Sequence, residues 1–196
     1  MRMKPFLSSL ALLSLVAGPA GAHTGVGTAF SFQSGFLHPL GGVDHLLAMI
    51  AVGLLAAQLG GRALWLVPGA FVSMMVAGAI AGFAGIEIPG VEFGIVISIV
   101  AIALPVAFAL GMPAALAMAY VGFFAIFHGF AHGAELPVDA DAAPYIAGFA
   151  LATALIHAAG VGVGLGGGRI SMRQGRSVTR IAGGLIAIAG IGIAVV

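Results

Sequence analysis

The sequence predicts an all-α integral membrane protein, a helical bundle of about six transmembrane helices behind a cleaved N-terminal signal peptide. Of its 196 residues 61% are hydrophobic and 7% charged, against roughly 25% charged in soluble domains. The apolar residues fall into stretches near the ~20 residues that cross a bilayer core, and most charges gather between them. The same composition excludes other classes. High hydrophobicity excludes disorder, and 32 glycines without a Gly-X-Y period exclude collagen. A net charge of +1 without a large basic cluster gives nucleic acid nothing to bind. Cysteine is absent, which removes disulfides, thiolate metal sites and cysteine nucleophiles.

The first element is the signal peptide, residues 1–22. Arg2 and Lys4 make a positive start, Leu7 to Ala17 is apolar apart from serines, and Ala20-Gly21-Ala22 offers small residues to a signal peptidase. Cleavage after Ala22 leaves His23 at the mature N-terminus, where a free α-amino group beside an imidazole makes a bidentate chelator. Five arginines and six acids then remain.

Residues 23–196 form one six-helix transmembrane domain. Its spans run over about 41–60, 63–84, 92–110, 113–133, 143–166 and 178–196. Arg62 lies between spans one and two, and Arg169, Arg173, Arg176 and Arg180 between five and six. Glu87 lies between spans two and three; Glu135, Asp139 and Asp141 lie between four and five. Positive-inside then sets the arginine loops in the cytoplasm and both mature termini in the periplasm, as signal cleavage also requires. Gly78/Gly82 and Gly160/Gly164/Gly168 are small-xxx-small series for close helix packing, within one subunit or between subunits of a homo-oligomer. Gly162-Val-Gly-Leu-Gly-Gly-Gly168 contains a G-x-G-x-x-G match, but it ends an apolar span instead of opening a βαβ unit, so it is packing and not nucleotide binding.

Ionisable groups inside a bilayer cost roughly 2.5–3.5 kcal/mol on insertion scales, so those present are functional suspects. The first cluster is His38-Pro-Leu-Gly-Gly-Val-Asp44-His45-Leu-Leu-Ala-Met49, opening span one. Pro39 and Gly41-Gly42 predict an irregular lead-in for His38. Asp44 alone would read as a helix cap, and Met49, one turn beyond His45 on the same face, as lipid-facing or gap-filling packing or as a further metal ligand. Two histidines and a carboxylate within eight residues read better as ligands. The second cluster is Phe127-His128-Gly-Phe-Ala-His132-Gly-Ala-Glu135-Leu-Pro137. Its spacing stacks His128, His132 and Glu135 on one helical face, and His-x3-His offers two imidazoles to one ion. The loop charges set both clusters on the same, outer side. His157 lies deep in span five, either as an inner station on an ion path or as a helix–helix hydrogen bond. Glu92 begins span three at the interface.

Imidazole with carboxylate suits Ni²⁺, Co²⁺, Zn²⁺ or Cu²⁺; all-oxygen Mg²⁺ or Ca²⁺ sites would not need these histidines. The ion is expected as transported ligand, with no prosthetic group. An intramembrane zinc hydrolase, with Glu135 as general base, is the rival, but neither H-E-x-x-H nor G-x-S-x-G supports it. A membrane protein that senses periplasmic metal or hands it on is another.

The segment from His38 to Gly53, the Phe127–Glu135 segment and a signal that leaves a mature N-terminal histidine together resemble the HupE/UreJ family, and the resemblance covers the whole chain. It implies a nickel or cobalt permease of the bacterial inner membrane, of the kind found alongside hydrogenase and urease genes. It assigns metal recognition to His38, Asp44, His45, His128, His132 and Glu135, and less directly to His23 and His157.

Overall fold

The computed structural model describes residues 30–137, 141–170 and 172–195, with side chains left aside over 167–176. The expected signal segment, His23 and Asp139 lie outside the described residues, as do the side chains of Arg169, Arg173 and Arg176. Every regular element is helical: α1 (Phe32–Gly41), α2 (Val43–Leu59), α3 (Ala63–Phe83), α4 (Val91–Ala107), α5 (Ala114–Ala134), α6 (Ala142–Ile170) and α7 (Met172–Val195). The helices α3 and α5, with the Ala142–Gly166 part of α6 and the Ser177–Val195 part of α7, are each long and apolar enough to cross a membrane. Bent by 85° at Gly42, α1 and α2 qualify as a fifth only together. At 17 residues, α2 and α4 each reach roughly 25 Å, short of the ~30 Å core.

One expectation needs correction. His38 does not sit on an irregular lead-in, because residues 32–41 are helical. Ser31 and Ser34 close a reciprocal capping box at its start, with Ser34 N–H donating to Ser31 Oγ at 3.2 Å and Ser31 N–H to Ser34 Oγ at 2.7 Å. Pro39 is accommodated inside the helix, and the break falls at Gly42, which is extended. The expected spans 143–166 and 178–196 coincide with the apolar parts of α6 and α7, Ala142–Gly166 and Ser177–Val195, while the helical backbone runs on to Ile170 and resumes at Met172. Arginine is a good helix former, so the apolar stretch sets the span and not the length of the helix.

The helix α2 is the hub. From Ala51 to Ala56 it is buried on every side, as expected of a helix apolar all round, and it packs on α3, α4, α6 and α7. Around it the helices pair by glycine. A Cβ at Gly78 or Gly82 of α3 would strike the carbonyl of Ile126 or Phe130, and one at Gly129 or Gly133 of α5 would strike that of Met75 or Ala79. The partners rise together in number, so α3 and α5 run parallel in backbone contact. Similarly, α2 and α6 cross where Gly53 meets His157 and Gly160, with Gly164 on Ala57. Thus the expected small-residue packing is present at Gly78, Gly82, Gly160 and Gly164, within one chain. Large side chains such as Trp65, Phe93, Phe123 and Ile188 face outward, as lipid contact requires. The C-terminal end of α4 is tied down by Gln58, which donates to the carbonyls of Pro105 and Leu110 at 3.1 and 2.9 Å, and by Arg180, which donates to that of Ala107 at 3.2 Å.

Candidate metal centre

The bend at Gly42 and the α3–α5 crossing decide where the two clusters meet. The bend lays His38 of α1 beside the start of α2, where Asp44 and His45 stand. The glycines at 129 and 133 draw α5 inward and carry His128 and His132 with it. Nitrogen atoms 87 residues apart in sequence come together: His132 Nε2 and His45 Nε2 are 2.6 Å apart. The His38 ring stands 4.5 Å from that of His132, and the His45 ring 4.9 Å from that of His128. One donor atom from each of His38, His132 and Glu135 falls within a 4.8 Å group.

Asp44 defines the proton position on His45. Asp44 Oδ1 lies 3.1 Å from His45 Nδ1. A carboxylate only accepts, so Nδ1 carries the proton and Nε2 offers its lone pair toward His132. Glu135 Oε2 stands 3.9 Å from His132 Nδ1. Two lone pairs cannot share a 2.6 Å gap, so the His45–His132 pair holds one proton between them. Nitrogens bound to one ion at ~2.0–2.1 Å would stand roughly 3 Å apart, so the rings need only part slightly.

Burial increases along the file. His38 and Asp44 are half-buried, His132 and His45 buried, and His128 and His157 fully enclosed. Met49 is fully buried in the core, so it is not lipid-facing. His157 makes no helix–helix hydrogen bond, since neither ring nitrogen has a partner. Glu92 is exposed at the start of α4.

Three contributors were not singled out from sequence. Ser98 accepts or donates at 2.7 Å from His128 Nε2. Phe149 packs its ring 4.5 Å from that of His132, and 6.0 and 6.2 Å from those of His38 and His45. Phe71 lies 5.0 Å from the His157 ring. Ser98 had a signal, a lone hydroxyl in an apolar helix; the two phenylalanines had none among the 13 of the chain.

Residues 10–193, a stretch that includes both motifs, match the HupE / UreJ protein family. The chain belongs to the HupE/UreJ family. It is 42% identical to "Protein HupE" of Rhizobium leguminosarum bv. viciae over 199 residues, covering all of both chains. No solved structure matches it. As a HupE/UreJ member with several membrane-length helices it is a membrane protein, and its histidine file runs inside the bundle and not along its surface.

Proposed function

We propose that this protein is a secondary transporter or facilitator, not an enzyme, that takes up a divalent transition-metal ion across the bacterial inner membrane for maturation of hydrogenase- or urease-type metalloenzymes. Nickel is the first candidate and cobalt the second. The observation that carries the reading is the convergence of His38, His45, His132 and Glu135 at one end of the bundle, continued inward by His128. Membership of HupE/UreJ supports the choice of metal class.

In this reading all six apolar helical segments cross the bilayer, with the arginine loops cytoplasmic and both termini periplasmic. A hydrated ion reaches the periplasmic mouth, where His38 and, once freed, His23 meet it. His45, His132 and Glu135 replace part of its water, and Asp44 orients His45. The carboxylates supply negative charge where the low-dielectric surroundings would oppose a dication. An inside-negative potential favours entry by about 2.3 kcal/mol per charge per 100 mV.

The test is ion flux into proteoliposomes holding the purified protein, with Ni²⁺, Co²⁺, Zn²⁺ and Cu²⁺ offered separately and the His128→Ala/His132→Ala double variant alongside. Saturable flux of one ion, lost in the folded double variant, is the expected result. Tight binding without flux points instead to a receptor, and metal-dependent turnover of a lipid or peptide to a hydrolase.

A further inference from the structure

The file of imidazoles continues below the outer cluster into a region with different chemistry. Ser98 Oγ lies 2.6 Å from the Ile95 carbonyl and 2.7 Å from His128 Nε2. A hydroxyl has one proton and a carbonyl only accepts, so Ser98 donates to Ile95. His128 Nε2 must then carry the imidazole proton and donate it to Ser98. That leaves His128 Nδ1 as a bare lone pair, on a fully buried ring, with no hydrogen-bond partner. His157 is equally buried, and both of its ring nitrogens lack partners.

An unsatisfied buried polar group costs about 1–3 kcal/mol, and a native structure that keeps several together asks for an ion or ordered water to explain them. These two rings pack on one residue, Phe71, at 5.8 Å for His128 and 5.0 Å for His157. The nearest hydroxyl on the His157 face of α6, Thr153, is committed to Met75 Sδ at 3.6 Å. Beyond His157, α2 and α6 close on each other at Gly53 and Gly160.

We propose that His128 Nδ1 and His157 form an inner station for the divalent transition-metal ion, which receives it from the outer cluster by way of His45 and holds it above the α2–α6 closure. This rests on the transport reading and adds a division of labour to it. The outer cluster offers carboxylate as well as nitrogen, and so tolerates hard cations. The inner station offers neutral nitrogen alone, which suits borderline transition metals and rejects Mg²⁺ and Ca²⁺. Without a carboxylate it also binds weakly enough to release its ion onward, as conduction demands. Selectivity then resides at His128 and His157, and capture at the mouth.

The experiment uses the full chain with His157→Gln, which keeps a polar side chain without imidazole, and His157→Cys, which restores a metal donor. Co²⁺ is the probe, read by ligand-field absorption in detergent and by flux in proteoliposomes with excess Mg²⁺. In His157→Gln, flux should fall at least about tenfold and the part of the Co²⁺ spectrum owed to the inner station should vanish, while the band from the outer cluster remains. His157→Cys should recover flux and show thiolate-to-cobalt absorption. Wild-type flux in His157→Gln overturns the proposal, as does a folded His157→Cys that neither transports nor shows that absorption, since the site then holds water alone or serves packing. A wild-type protein that carries no ion, yet loses the inner part of its spectrum in His157→Gln, sinks the transport reading and leaves the station standing.

Discussion

Asp44 acts on the outer cluster through His45, by holding the proton on Nδ1 so that Nε2 faces His132. Asp44→Asn keeps the shape and removes the charge that fixes this tautomer. Ion affinity should fall about 10–100-fold, measured by equilibrium dialysis, with little change in thermal unfolding. Ser98→Ala makes the corresponding change at His128: the ring loses the acceptor of its Nε2 proton, and flux should fall about tenfold with membrane abundance intact. The two carboxylate–histidine clusters were legible in the sequence because charge is expensive in an apolar chain. Ser98 was not, because a serine in a helix can satisfy its hydroxyl on a carbonyl of the preceding turn, and only the fold shows that the same oxygen also meets His128.

At the scale of helices, the α3–α5 crossing has no room to spare. Gly129→Val drives a branched side chain into the Met75 carbonyl, and such overpacking costs typically 1–3 kcal/mol or more. Its thermal unfolding in detergent should drop accordingly, while Gly162→Ala, which meets nothing within 4 Å, should hold or slightly raise it, since alanine is the better helix former. The Gly78/Gly82 series announced half of this crossing. The other half, Gly129 and Gly133, lies between residues that read as chemistry, and these glycines serve both ends by bringing His128 and His132 inward. The α1 helix was illegible for a different reason: Pro39, Gly41 and Gly42 argue against helix locally, and packing of Gly35 on Tyr145 and of Gly148 on Phe32 overrides them. Ser31→Ala removes the capping box, at a cost of about 0.5–2 kcal/mol to α1. Because α1 carries only His38 among the ligands, the concentration for half-maximal uptake should rise while the maximal rate holds.

For the whole molecule, the transport reading fixes two behaviours. Imidazole binds metal only when neutral, so uptake should weaken as the outer medium is acidified; pH-jump flux measurements on proteoliposomes check this, and uptake that strengthens in acid counts against histidine ligation. The absence of native cysteine makes orientation directly measurable. Single cysteines at Gly61 and at Glu87 should be labelled by an impermeant maleimide from opposite sides of the membrane, the first only after the cytoplasmic face is opened. That the chain folds into apolar helices was readable from hydropathy, whereas α1 and the ends of the helices were not. The apolar stretch of α4 predicts a span to 110, yet the helix stops at Ala107 and turns through Ala109 at φ 53°, because Gln58 and Arg180, far off in sequence, take up its last carbonyls.

The 87 residues between His45 and His132 also bear on how the protein is made. A chain emerges and inserts from its N-terminus, so Asp44 and His45 reach the bilayer while α5 is still unsynthesised. Until α5 arrives, His45 lacks the His132 nitrogen that stands 2.6 Å away in the finished fold, and the polar start of α2 goes without that partner in apolar surroundings. A chain halted before α5 would therefore hold Asp44 and His45 in the membrane without the partner that offsets their cost there.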